Sequence, residues 1–134
     1  MPMGYSFPKT EKLCGQLRIS RLYEKGKHFT CYPLRITYLA VIEQEESVRP
    51  GVRILLWAPK SLFKHAVDRN RLRRLMREAY RHNASVLRAL CEEQNMSLHV
   101  AFNYIAKEPL TYGEIEKATQ KAIYKLQKAN LWNE

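Results

Sequence analysis

Glycine is scarce in this chain, five residues in 134, and that scarcity excludes a glycine-rich loop of the kind that cradles nucleotide phosphates. Cysteine is scarcer still. Cys14, Cys31 and Cys91 are odd in number and widely scattered, with no CxxC pair, so neither a disulfide framework nor a zinc site is expected. His28, His65, His82 and His99 show no paired ligand spacing, and Glu92-Glu93 suits a solvated helix end better than a catalytic carboxylate pair. No Ser/His/Asp arrangement stands out. No apolar run approaches the length of a membrane span, and no signal-peptide core precedes the first polar segment. The expectation is a cytoplasmic protein without a membrane partner, whose own side chains do not perform bond-breaking chemistry.

Acid is also in short supply. Twenty-three Lys and Arg stand against 13 Asp and Glu, for a net charge of +10 and a pI near 9.7, which favours an anionic partner such as nucleic acid. The excess concentrates in residues 69–81, where six arginines accompany one acid. At about 100° per residue, Arg69, Asn70, Arg73, Arg74, Arg77 and Arg81 share one helical face. Leu72, Leu75, Met76 and Ala79 share the other, with Tyr80 at the border. Arg69, Arg73, Arg77 and Arg81 form an i, i+4 ladder of like charge, which costs a helix on the order of 1 kcal/mol over three pairs. The early arginines also oppose the helix macrodipole. Lysine faces are commonly just solvated surface. Arginine is the better residue for bidentate phosphate recognition and for stacking, so this face reads as a nucleic-acid contact.

The chain is long enough for one domain with a proper core. Residues 1–8 read as an extended arm, anchored by Tyr5 or Phe7. Leu13, Leu17, Leu22 and Tyr23 predict a helix over 11–24, stopped at Gly26. Alternation from Leu34 to Ala40 predicts a half-buried strand, and the acidic segment with Glu43, Glu45 and Glu46 predicts a turn ending at Pro50-Gly51. Val52 to Trp57 reads as a central strand. One long helix, beginning between Lys64 and Arg69 and offering Asp68 as a cap, is expected to run to about Glu93. A third strand covers Leu98 to Ile105. A last helix opens at a Thr111/Glu114 capping box, with Ile115, Ala118, Ala122, Ile123, Leu126 and Ala129 inward. The fold class is α+β: one RNA-binding domain over 1–134, a two-layer sandwich in the order α-β-β-α-β-α, with helices on one face of a small mixed sheet. The open face offers Tyr23, Arg35 and Tyr38 to a single strand of nucleic acid, whose bases stack on aromatics. Taken singly, each tyrosine is better read as core packing with a wet hydroxyl.

Ala66-Val67, Arg69-Asn70-Arg71, Arg73-Arg74 and Arg77-Glu78, with Lys60 ahead of them, resemble the signature of the protein subunit of bacterial ribonuclease P. The spacing is unbroken from Ala66 to Tyr80. Weaker similarity covers most of the chain, including Phe7-Pro8-Lys9, Glu11-Lys12-Leu13, Leu22-Tyr23 and Gly26-Lys27. The resemblance implies a ribosomal-protein-like domain with a left-handed crossover. It also implies a 1:1 complex with the catalytic RNA, which removes the 5′ leader of precursor tRNA using magnesium ions held mainly by RNA. It assigns Lys60, Arg69, Asn70, Arg71, Arg73, Arg74, Arg77 and Arg81 to the catalytic RNA. Ile19, Tyr23, Arg35, Tyr38 and Trp57 fall to a leader cleft between the first helix and the sheet.

The sequence departs from that family in four places, one of them the loop following Lys60, where Phe63 or Lys64 replaces a common glycine. Ile19 stands where the family often has an aromatic residue. A second basic residue beside Lys60 is missing, and Trp57-Ala58-Pro59 replaces small or hydroxyl residues. Trp57 suits either core packing or a stacking platform, and packing is the preferred reading. Rival functions are a ribosomal or assembly-factor RNA-binding module and a DNA-binding module using the long helix. A protein-only nuclease lacks the carboxylate cluster it would need.

Overall fold

The computed structural model describes residues 11–42 and 49–129. The expected arm at 1–8 and the acidic turn with Glu43, Glu45 and Glu46 lie outside the described residues. The chain runs α1 (Gln16–Lys25), β1 (Lys27–Cys31), β2 (Leu34–Val41), β3 (Val52–Trp57), α2 (Ala66–Asn83), α3 (Ser85–Gln94), β4 (Ser97–Tyr104) and α4 (Tyr112–Lys128). The four strands lie in the order β1-β2-β4-β3. The β1/β2 and β2/β4 pairs are antiparallel, and β3 pairs parallel to β4. A parallel neighbour needs a crossover, and α2 with α3 supplies it.

Residue parity decides what each face carries, because successive side chains point to opposite sides of a strand. Leu34 and Ile36 of β2, Val100, Phe102 and Tyr104 of β4, and Val52 and Ile54 of β3 form one apolar face with Leu72, Met76, Ala79, Tyr80, Leu87, Ile115 and Leu126 from α2, α3 and α4. Full burial of each Val, Leu, Ile, Phe or Met side chain among them contributes roughly 1.5–3 kcal/mol, so this layer carries most of the stability. The opposite parity sets Leu39, Leu55 and Ala101 against Leu13, Ile19 and Leu22. The first helix therefore lies across the face expected to be open, while the other three cover its reverse.

Gly26 stops α1 for a steric reason. A Cβ there would sit 2.4 Å from the Leu22 carbonyl oxygen and 2.8 Å from that of Tyr38. The close approach lets the chain turn directly into β1. Leu13 N–H donates to the Ile54 carbonyl at 2.8 Å, which occupies part of the β3 edge. Glu11 is buried beside α3, where the Arg88 guanidinium donates to both carboxylate oxygens at 2.6 and 2.8 Å.

Several expectations change in detail. Strand β1 was not expected, because Lys27-His28-Phe29-Thr30-Cys31 lacks apolar alternation. It forms through the two-residue turn at Tyr32-Pro33, which joins it to β2 with Cys31 opposite Leu34. The first helix starts at Gln16 rather than Glu11. The long helix is two helices, interrupted at Ala84, where the Asn83 side chain donates to the Ala79 carbonyl at 2.8 Å and so competes with the backbone ladder. His65, not Asp68, precedes α2, and Asp68 sits in its first turn, where a negative charge suits the dipole. The Thr111/Glu114 capping box forms as expected.

Candidate nucleic-acid interface

Helix α2 buries Leu72, Met76, Ala79 and Tyr80, while Leu75 is half-buried. Its cationic residues then divide by partner. Arg69 Nη1 donates to the Phe63 carbonyl at 2.8 Å and the Lys64 carbonyl at 3.0 Å, clasping the loop that leads into the helix. Arg73 Nη2 donates to Asn70 Oδ1. Arg81 pairs with Glu78, and His82 Nε2 lies 3.1 Å from the same carboxylate. The Arg81 guanidinium is the main reason that the Glu78 carboxyl titrates below its usual range. Arg71, Arg74 and Arg77 are exposed and have no ion-pair partner among the described residues. Lys60 is exposed in the β3–α2 connection. The wheel thus identified the cationic face, but Arg69 and Arg81 already have partners within the protein.

A groove of about 880 Å³ runs beside α1 over the face of the sheet that α1 partly covers. Its floor is a row across the strands, Trp57 opposite Asn103 and Asn103 opposite Arg35, and outside the groove the row ends with Arg35 opposite Thr30. Tyr23 reaches down from α1, and its hydroxyl lies 3.2 Å from Asn103 Oδ1 and 3.1 Å from Nδ2. The Tyr23 ring stays 47% exposed, so a base can stack on it. Ile19, His28, Thr37 and Leu55 also line the groove. Aromatic, amide and guanidinium groups on one surface suit stacked bases with phosphates alongside.

Of the expected cleft residues, Ile19, Tyr23, Arg35 and Trp57 meet in this groove, and Tyr38 does not. Tyr38 shares the parity of Leu34 and Ile36, so its ring packs on Phe29 beneath α4, with centroids 5.7 Å apart. The preference for packing Trp57 in the core is also corrected. Trp57 is 44% exposed, and the Arg73 guanidinium carbon lies 5.9 Å from its ring centroid. Asn103 was not singled out in the sequence, although its place with Ser97 and His99 on the polar parity of β4, opposite Leu98, Val100 and Phe102, was its signal.

Among the described residues, no three His, Cys, Asp or Glu converge as a metal site. No described helix is long and apolar enough to cross a membrane.

A family model described as Ribonuclease P matches residues 7–128. The ribonuclease P protein component of Porphyromonas gingivalis strain ATCC 33277 is 31% identical over 125 residues, covering 93% of this chain and 89% of its own. That of Chlorobium phaeobacteroides is 36% identical over 105 residues, covering 75% and 72%. The structure of the Staphylococcus aureus RNase P protein superposes with a TM-score of 0.61 at 19% identity, over 88% of this chain and 95% of that one. That last likeness speaks for the fold alone. The family model spans the arginine helix and the groove, the two sequence relatives each cover most of the chain, and this chain belongs to the family of ribonuclease P protein components, the protein partners of ribonuclease P RNA in tRNA 5′-end processing.

Proposed function

We propose that α2 holds the catalytic RNA while the groove holds the 5′ leader of precursor tRNA, in a complex of one protein and one RNA. Arg71, Arg74 and Arg77, with Lys60, Asn70 and Arg73, meet phosphates of the catalytic RNA. Arg69 supports them by fixing the loop at Phe63 and Lys64, and Arg81 adds charge at the far end of the helix. Tyr23 and Trp57 stack on leader bases, Arg35 meets a leader phosphate, and Ile19 offers an apolar wall. The observation that carries this reading is the Arg73–Trp57 contact, which joins the arginine helix to one end of the groove. An RNA held on α2 is thereby placed beside a single strand lying over Trp57, Asn103 and Arg35.

In this division of labour the protein positions RNA and screens its charge. Magnesium ions held mainly by the RNA supply Lewis-acid chemistry at the scissile phosphate. Glu78 is engaged with Arg81 and His82, and Glu11 with Arg88, so these carboxylates serve the fold. A cytoplasmic location accompanies this reading.

The test is cleavage of a 5′-labelled precursor tRNA by the cognate catalytic RNA at low magnesium, with and without the protein. Protein-dependent release of intact leader at the mature 5′ end is the expected result. No stimulation by the protein would overturn the proposal.

A further inference from the structure

The edge of the sheet farthest from α2 carries a second basic and aromatic surface. Helix α4 lies over β1 and β2, and its outer side presents Lys117, Lys121, Lys125 and Lys128. The first three form an i, i+4 ladder, and none of the four has an acidic partner among the described residues. Glu108 and Glu114 bound the patch at the start of α4, and the Glu114 carboxylate already accepts from Thr111 N–H at 3.0 Å. Two tyrosines flank the lysines. Tyr32, on the β1–β2 turn, is 62% exposed, and Tyr124 on α4 is 60% exposed. The Lys125 ammonium lies 5.3 Å from the Phe29 ring centroid and that of Lys128 lies 5.6 Å from Tyr124, which holds both cations against the aromatic surface. Between turn and helix is a hollow of about 710 Å³ that no acid lines.

This hollow lies where the strand row that floors the groove reaches the sheet edge. The strand row Trp57–Asn103–Arg35 ends at Thr30 on the edge strand, and Thr30 lines the hollow, with Tyr32, Lys121, Tyr124 and Lys125. Three strand spacings separate Trp57 from Thr30, about 14 Å. A single strand crossing the sheet along this row leaves at Thr30 and meets phenol rings and unpaired ammonium groups. An acidic peptide would satisfy the lysines but would leave two exposed stacking rings without a role.

We infer that the leader track does not end at the sheet: it wraps the β1 edge, and the distal 5′ portion of a long precursor leader binds Tyr32, Tyr124, Lys121 and Lys125. This rests on the placement of the leader in the groove. The polarity follows from the catalytic RNA lying on α2, which puts the nucleotides nearest cleavage at Trp57 and the distal ones at β1. Stacking on phenol rings and contact with ammonium groups select length rather than sequence.

The test measures affinity of the protein–RNA holoenzyme for precursor tRNAs with a short leader and a long leader. The proteins compared are wild type, Tyr124→Ala with Lys121→Ala, Tyr32→Ala with Lys125→Ala, and Tyr23→Ala. Each changed position in the two α4-edge variants is exposed, save that Lys125 also touches Phe29, and circular dichroism checks that each variant is folded. The expected result is that the ratio of long-leader to short-leader affinity falls about tenfold in both α4-edge variants, the loss of roughly one stacked base. An unchanged ratio, with Tyr23→Ala weakening both substrates, overturns the extension and leaves the groove reading standing. An unchanged ratio with Tyr23→Ala harmless as well overturns both. Weaker assembly with the catalytic RNA in the α4-edge variants at an unchanged ratio also overturns the inference, by giving this surface to the RNA subunit.

Discussion

The Arg73 guanidinium lies over the Trp57 indole, 5.9 Å from the ring centroid, and so joins the helix that carries the charge to the strand that floors the groove. At a partly exposed site such a contact contributes about 0.5–1 kcal/mol. Trp57→Leu should therefore cost about that much in a denaturant titration. Its affinity for precursor tRNA should fall clearly more than its affinity for mature tRNA. Equal losses for the two RNAs would show that Trp57 serves packing alone.

The arginines of α2 should separate into two groups. Arg74→Ala with Arg77→Ala should leave the melting temperature within a degree or two and flatten the salt dependence of RNA binding. Each lost phosphate contact removes roughly 0.7–0.9 from the log–log slope. Arg69→Ala should instead destabilise the fold by about 1 kcal/mol, because two loop carbonyls lose a charged donor. A thermal melt beside a salt titration distinguishes the two behaviours.

Tyr23→Phe and Tyr23→Ala form a graded pair. The phenylalanine keeps the ring and loses only the hydroxyl contact with Asn103, so precursor affinity should change less than threefold. The alanine removes the stacking surface and should weaken precursor binding about tenfold, with mature tRNA spared. Equal losses for both RNAs with the alanine would remove Tyr23 from the leader site.

Glu11 and Arg88 fasten the segment before α1 to α3. Breaking a largely buried pair on one side strands the other charge, at a cost of about 3 kcal/mol. Arg88→Met should show this in urea unfolding. The double change Glu11→Gln with Arg88→Met should recover part of the loss. A single variant as stable as wild type would mean that water replaces the pair without cost.

Alkaline pH should weaken the fold in a specific window. Burial pushes the Cys91 thiol up from 9.0 to about 11, and burial likewise raises the Tyr80 hydroxyl. Both groups favour the neutral form when folded, so the unfolded chain loses its protons first. Stability is fully present below pH 9 and falls as pH rises through 9 to 11. In Cys91→Ala, stability should be flatter over that interval when followed by denaturant titration at successive pH values.

Local chemistry determined much of this protein by itself. The arginine spacing of α2, the Thr111/Glu114 box and the inward face of α4 from Ile115 to Leu126 depend on neighbours three and four residues apart and could be read directly, whereas Ala129, expected inward, ends the helix in extended backbone. The alternation in β2 gave the two faces of that strand. The side assigned to the nucleic acid needed more, since parity says that Tyr38 and Arg35 point apart but not which of them meets α1. Tertiary structure decided that by laying α1 across the Arg35 face, where Leu13, Ile19 and Leu22 bury Ala101, Leu39 and Leu55. It also recruited the polar β1 segment, whose ladder forms only because β2 is there to pair with it. It brought Asn103 under Tyr23 from 80 residues away. Partner choice among the arginines was non-local as well: a helical wheel places charges on a face, but only the folded loop supplies the carbonyls of Phe63 and Lys64 that engage Arg69. Contacts close in sequence are set by helix and strand periodicity, whereas the groove joins residues whose separation is fixed only once the sheet has formed and both of its faces are covered.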